Sequence, residues 1–323
     1  MLATSQLLED QRSEGRVRRN PSLRRWFRFH LVNMSIVGTV PALTLLASGR
    51  VSRLDLALFA GFYAATVVSF GLAWHRMLAH RAFDAHPAVK WLLMAFAGMT
   101  FQGTPSAFIW NHRAHHAHAD RPGDPHSPRH GFFHAHAGWF TNYQPSPEYK
   151  SRYSADPMVR FFDRTHIHWA LLGGLLPFLL GALLAHPGSF SLWGGFTGFV
   201  WGGATRLCLA SHALWLGGSY GHRWGHRSFE TPDDSRNSFL LSLLLLGDGW
   251  HNNHHAAPRA ANLDAHPWQI DLLGLCLRVL SFFGLIRSMR WLGRADWQAR
   301  REALNPPVAP APLPPFMAMR APR

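Results

Sequence analysis

Long apolar runs alternate along this chain with stretches rich in arginine and histidine, and the runs have the length of membrane-crossing helices. Residues 56–74 are nineteen consecutive positions without a charge, close to the roughly 20 that a helix needs to cross about 30 Å of hydrocarbon. Similar runs lie at 31–48 and 169–185, and a fourth at 191–216 continues through a single arginine, Arg206. The linker His186-Pro187-Gly188 between the third and fourth has room only for a tight turn. Residues 91–101 are apolar, but Gln102-Gly103-Thr104-Pro105 interrupts them. Eleven helical residues rise about 16 Å, too little to span, so this piece is expected to be re-entrant or interfacial. Residues 268–292 mix apolar runs with Arg278, Arg287 and Arg290, the pattern of a helix lying on a membrane surface. The expected architecture is an all-α integral membrane protein with four transmembrane helices near 31–48, 56–74, 169–185 and 191–216. A basic cytosolic tail (1–28) precedes the membrane domain (29–300), and a Pro-rich disordered tail (301–323) follows it.

Composition supports this reading. Charged residues make up 15% of the 323, with 47% hydrophobic and 13% aromatic, against about 25% charged in an ordinary soluble domain. A mean hydropathy of −0.07 conceals the segregation along the chain. The formal charge of +14 is almost all arginine, since Lys90 and Lys150 are the only lysines. Such a charge fits nucleic acid or an anionic membrane face; runs of spanning length favour the membrane and argue against nucleic acid. Both ends are Arg-rich, which places both termini in the cytoplasm by the positive-inside rule and requires an even number of crossings. The N-terminus lacks the pattern of a secretory signal. Cys208 and Cys276 form no metal or disulfide framework and read as packing residues.

The chemistry concentrates in histidine. Three clusters stand out: HRMLAH with His75 and His80, HRAHH with His112, His115 and His116, and HNNHH with His251, His254 and His255. In the last two, offsets of three and four place the rings along one helix face; the first pair, five apart, is expected to flank a helix end. If 91–101 does not cross, all three clusters fall on the cytoplasmic side, in a helical cap. Eight imidazoles exceed the needs of one tetrahedral zinc and suit two ions sharing a site, with iron, copper, nickel and zinc all accepting such ligands. Two redox-active ions beside hydrocarbon suggest oxidative attack on a lipid chain. His30, His86, His186 and His266 read as surface or turn residues, and His118, His126, His130, His134 and His136 as parts of a polar loop.

These boxes resemble those of the membrane fatty acid desaturases, in particular the acyl-CoA (stearoyl-CoA, Δ9-type) branch. TFQGTP before the second box, GDPHSP after it, HAGW, and DDSRN leading into GDGWHNNHH carry the resemblance further, over about residues 30–260. It implies a di-iron centre with nine histidine ligands, the eight above and His222, which stands in GSYGHRWG where the family has NSxxHxxG. The family's asparagine, which approaches one iron through water, falls at Gly218 here, leaving His212 as a candidate compensating donor or a packing residue. Asp248 stands where glutamate is usual and keeps a carboxylate able to orient a ligand histidine. Phe108 and Trp110 are candidates for lining an acyl tunnel, and equally for interface aromatics. Arginines near the boxes fit a carrier's phosphates and equally a positive-inside face.

The resemblance further implies O2-dependent insertion of a cis double bond, expected at Δ9, into a long-chain acyl thioester such as acyl-CoA or another acyl carrier. A separate electron donor is implied, a ferredoxin or a cytochrome b5-like protein with its reductase, and a bacterial plasma membrane is the expected location. A di-iron lipid hydroxylase would share the site and differ in product. A histidine-rich metal transporter would place its ligands within the spans, whereas these clusters flank them.

Overall fold

The computed structural model describes residues 34–141 and 156–305; the expected basic and Pro-rich tails lie largely outside them. The fold is mostly helical. Helix α1 covers Met34–Ala47. Helix α2 begins at Arg53, where Ser52 and Asp55 form a reciprocal capping box, and runs through Ser69 into a π-helical stretch, Phe70–Ala79. Strand β1 (Phe83–Ala85) leads to α3, Pro87–Gly98. Helix α4, Pro105–His118, starts with Thr104 accepting from the Ala107 N–H and with Pro105 in its first turn, where a missing N–H costs nothing. The short α5 (Phe132–His136) precedes the long α6, Pro157–Leu184. Helix α7, Leu192–Gly198, continues through a second π-helical stretch, Phe199–Thr205, into α8, Arg206–Ser219. Then follow α9 (Phe239–Leu244), α10 (His251–Ala256), α11 (Leu272–Phe282), β2 (Ile286–Met289) and α12 (Arg294–Leu304).

Among the described residues, two helices are long and apolar enough to cross a membrane, Arg53–Ala79 and Pro157–Leu184. On the second, Ile167, Leu171, Leu175, Leu179 and Leu183 are exposed at every fourth position, an apolar stripe directed away from the protein. Small residues bring the helices close, as in membrane bundles. A Cβ on Gly181 of α6 would fall 2.2 Å from the Gly194 carbonyl oxygen of α7, so only glycine permits that approach. Arg206, fully buried, binds four helical segments: its guanidinium donates to the carbonyls of Gly202, Met99 and Gly173 and to Thr66 Oγ1.

Two expectations are corrected. The fold is not purely α-helical, because β1 and β2 pair antiparallel, Phe83 opposite Met289 and Ala85 opposite Ile286. For the same reason residues 268–292 are not one surface helix. Helix α11 stops at Phe282, Gly284 turns the chain at φ +69°, and the next residues extend to meet β1. The helical part does expose an apolar face, with Leu275, Val279 and Phe282 outward. The segment expected to be re-entrant is α3, which ends in a turn through Phe101 (φ +59°).

Candidate metal centre

The π-helical end of α2 explains the spacing of the first box. In a π turn the N–H of residue i+5 bonds the carbonyl of residue i, and the His80 N–H donates to the His75 carbonyl at 3.1 Å. Residues five apart therefore share a face. The two rings lie 5.0 Å apart edge-to-face, closer than an α-helical reading of the spacing suggests. Helix α4 presents His112, His115 and His116 by its i, i+3, i+4 geometry. The third box sits on the short α10, held by its asparagines. Asn252 accepts from the backbone N–H groups of Ser228 and Phe229, while Asn253 donates to the Leu263 carbonyl and Gln269. Upstream, Gly247 (φ +126°) and Gly249, whose Cβ would collide with Ser242 N, make the tight turn into the box.

The structure brings nine imidazoles into two adjoining groups. The first comprises His75, His80, His112, His116 and His254, with Nε2···Nε2 contacts of 3.0 Å (His75–His254), 2.7 Å (His80–His112), 3.1 Å (His112–His116) and 2.9 Å (His116–His254). The second comprises His115, His222, His251 and His255, with 3.3 Å for His115–His255 and 3.0 Å for His222–His251. His116 and His255 stack at 4.4 Å where the groups meet.

Four carboxylates fix which nitrogen faces inward. Asp248 accepts from His75 Nδ1 at 2.8 Å, Asp124 from His115 Nδ1 at 3.0 Å, Asp120 from His222 Nδ1 at 2.7 Å and Asp233 from His255 Nδ1 at 3.0 Å. A neutral imidazole has one N–H, so each of these four rings turns a bare lone pair inward. His115 and His255 then face each other with two lone pairs at 3.3 Å, an arrangement that repels unless a cation lies between them. That is the test of fit, and the donor set passes it. Nitrogens about 2.1 Å from one ion lie about 3.0 Å apart at a right angle and about 3.4 Å apart at the tetrahedral angle. Most of the observed separations favour the former.

The electrostatics agree. Burial, reinforced by neighbouring imidazoles, holds His80, His112, His116, His251, His254 and His255 well below the usual histidine range, in the neutral form that binds metal. His115 departs from this: burial disfavours its charged form, but Asp124 more than offsets it and the pKa rises. Burial alone would raise Asp120, yet the His222 N–H and the Asp234 backbone N–H hold it at about 2. Asp248 is likewise held far below the carboxylate range, against its burial, by Arg76 and His75.

Of the other residues singled out by sequence, Phe108 stacks on His112 at 5.3 Å and packs on Phe70 and Trp74, forming an apolar wall beside the first group. Trp110 is half-buried, with Nε1 unpartnered. His212 joins neither group; its Nδ1 lies 3.0 Å from His136 Nε2. Sequence reasoning missed Asp120, Asp124 and Asp233, although Asp124 and Asp233 stand in the stretches GDPHSP and DDSRN. A cavity of about 530 Å³ opens beside His80 and His116, rimmed by Arg81, Arg113 and Arg259.

A helical protein with two adjoining polyhistidine groups, backed by buried carboxylates, has the donor set of a metal-binding protein. Comparison with known proteins gives the family. Residues 55–273 match the model of the fatty acid desaturase family, and the chain belongs to that family, which is membrane-associated and acts in lipid metabolism. It is 32% identical over 255 residues to a hex-5-enoyl-[acyl-carrier protein] acetylenase of Moorena producens (strain JHB), covering 75% of this chain and 78% of that protein. It is 31% identical over 223 residues to an sn-1 stearoyl-lipid 9-desaturase of Anabaena variabilis (68% and 77%). It is 32% identical over 277 residues to an acyl-CoA C20 Delta5-desaturase of Anemone leveillei (83% and 84%).

Proposed function

We propose that this protein is an O2-dependent desaturase of a long-chain fatty acyl thioester, acyl-CoA in the first instance, and that it inserts a cis double bond at Δ9. His75, His80, His112, His116 and His254 would hold one iron, and His115, His222, His251 and His255 the other. The observation that carries this reading is the convergence of nine Nε2 atoms at contacts of about 3 Å, with those of His115 and His255 both bare and facing each other. Bound iron would supply the oxidising chemistry: O2, two electrons and two protons take up the two hydrogens of adjacent methylenes, giving one alkene and two waters.

The protein's own residues set where this happens. The four aspartates keep the Nδ1 protons and so aim the Nε2 lone pairs. Phe108, Phe70 and Trp74 give the first group an apolar flank against which a methylene chain packs without water. Neighbouring methylenes are chemically alike, so only position distinguishes them. The arginine-rimmed cavity suits the phosphates of a carrier or the acidic face of an electron donor, a ferredoxin or cytochrome b5-like protein. The three relatives are named for a carrier protein, a lipid and CoA respectively, so the carrier is an experimental variable.

Four crossings complete the reading, with α1 and the α7–α8 run joining α2 and α6. Helix α1 seats against that run: a Cβ on Gly38 would lie 2.7 Å from the Ala204 carbonyl, and Thr205 Oγ1 donates to the Gly38 carbonyl at 2.8 Å. Both termini then face the cytoplasm of a bacterial plasma membrane.

Expression in a host of defined lipid composition, with gas chromatography and double-bond localisation, tests the function. A new monounsaturated acyl chain, absent with His115→Ala, is expected. A hydroxylated product would assign the site to the hydroxylase chemistry, and an unchanged lipid profile would oppose both.

A further inference from the structure

The carboxylates behind the two histidine groups are not neutralised alike. Behind the five-histidine group, Asp248 meets the guanidinium of Arg76. Its Oδ1 accepts from Arg76 Nε at 3.1 Å and Nη2 at 2.7 Å, which leaves Oδ2 for the His75 Nδ1 at 2.8 Å. Arg76 is buried, and all five of its N–H groups are used: the remaining ones go to both oxygens of Asp271 and to the Ala261 carbonyl. Asp271 also accepts the backbone N–H groups of Leu263 and Gly274, capping α11. Two carboxylates thus share one buried cation. On the same side, Arg81, Arg113 and Arg259 rim the cavity at His80 and His116.

The four-histidine group has the opposite surroundings. Asp120, Asp124 and Asp233, all buried, back His222, His115 and His255. Their other partners are neutral. Asp120 accepts from the Asp234 N–H and the Ser127 hydroxyl, Asp124 from the Asp120 and His126 N–H groups, and Asp233 from the Ser235 N–H and the Thr231 hydroxyl. The ring of His126, 4.0 Å from Asp124, is kept neutral by burial. Asp120 and Asp233 also lie close together, with oxygens and the His222 ring nitrogen within 4.8 Å of one another.

A carboxylate behind a ligand imidazole raises its basicity, and nearby negative charge favours the more positive oxidation state of a metal. Positive charge does the reverse. We propose that these outer charges make the two sites unequal in reduction potential, with the five-histidine iron taking the first electron and the four-histidine iron the second. Each step takes one electron from the separate one-electron donor, Fe3+ becoming Fe2+. Arg76 acts here as a positioning residue, working through Asp248 on His75. The inference rests on the two-iron reading above.

The test uses full-length protein in detergent, loaded with iron-57 and reduced by dithionite to one electron per chain. Mössbauer spectra report the two irons separately, and His251→Ala, which keeps the five-histidine group whole, assigns the signals; His254→Ala assigns them by the opposite loss should the first variant not fold. The expected result is ferrous iron at the five-histidine site and ferric iron at the other. Ferrous iron at the four-histidine site, or spread evenly over both, overturns the proposal.

Mediated redox titration of charge variants gives the second readout. Arg113→Lys should keep the potential of the five-histidine iron, Arg113→Gln should lower it, and Arg113→Glu should lower it further. Asp271→Asn removes a negative charge from the Arg76 pair and should raise it. A merely structural role for these residues gives no such ordering by charge, and potentials that do not follow the sign of the substitution overturn the proposal. Wild-type protein without bound iron would remove the two-iron reading itself. Two bound irons of equal potential would remove only this inference.

Discussion

Replacing Asp248 by asparagine isolates the part that carboxylates play at the centre. Asp248 accepts from His75 Nδ1 at 2.8 Å and from Arg76 Nη2 and Nε at 2.7 and 3.1 Å. An asparagine of the same shape has one oxygen to offer. If that oxygen serves Arg76, the amide N–H₂ faces the His75 N–H, donor against donor. His75 relieves the clash by moving its proton to Nε2, the atom that faces His254. The ring stays in place but loses the inward lone pair, and the five-histidine group becomes a four-histidine one. Loss of such an outer partner weakens metal binding about 10- to 100-fold, or about 1.4–2.7 kcal/mol.

The fold suffers less than an orphaned buried charge would imply. Arg76 keeps both oxygens of Asp271, at 2.8 and 2.9 Å, and the Ala261 carbonyl at 2.7 Å. The expected loss in the metal-free protein is therefore about 1–3 kcal/mol, rather than the 3–5 kcal/mol of breaking a lone buried pair. Chelator competition in detergent reads the affinity, and thermal melts of the metal-free protein read the stability. Asp248→Asn binding both irons as tightly as wild type would refute the reasoning, because it would show that the tautomer of His75 is not set by this carboxylate.

Asp233→Asn should act in the same way on the four-histidine centre through His255, changing one Mössbauer signal and leaving the other; a change in both would mean that the groups are not separable. Arg206→Met leaves the Met99 and Gly173 carbonyls without the guanidinium and should lower stability by about 3–5 kcal/mol at one to a few kcal/mol per unsatisfied group, read as loss of folded protein in detergent melts. Metal-free protein should be destabilised by acid. Six imidazoles have folded pKa values well below the unfolded value of about 6.5, so below pH ~6.5 the unfolded chain binds more protons and stability falls by up to about 1.4 kcal/mol per pH unit for each group. His115, with its pKa raised, works in the opposite direction; a stability independent of pH between ~5 and 6.5 would contradict the neutral-imidazole assignment. Gly181→Leu should separate α6 from α7 and abolish the folded form, since even a Cβ meets the Gly194 oxygen.

The box histidines were legible because each box is local: offsets of three and four on α4 and α10 share a face whatever the rest of the fold does. His75 and His80 were legible as a pair, but their geometry was not, because nothing in the residues signals that the end of α2 widens to a π turn. The aspartates were the hardest to assign. Asp120 serves His222, 102 positions away, and Asp233 serves His255, 22 positions away, so no local spacing connects them. The small sheet was invisible for a related reason. Phe83–Ala85 is three residues long and pairs with Ile286–Met289 near the other end of the chain, and neither segment has enough length to show a period-two pattern. His126 reads as a loop residue because the groups its ring packs against include Gly218, which is remote in sequence.

Metal analysis of the purified, iron-supplied protein tests the central claim most directly. Two irons per chain are expected in the wild type, with a loss of about one in His251→Ala, whose ring belongs to the four-histidine group alone. Protein that takes up no stoichiometric iron after reconstitution, or that holds the same amount with His251 removed, would contradict it.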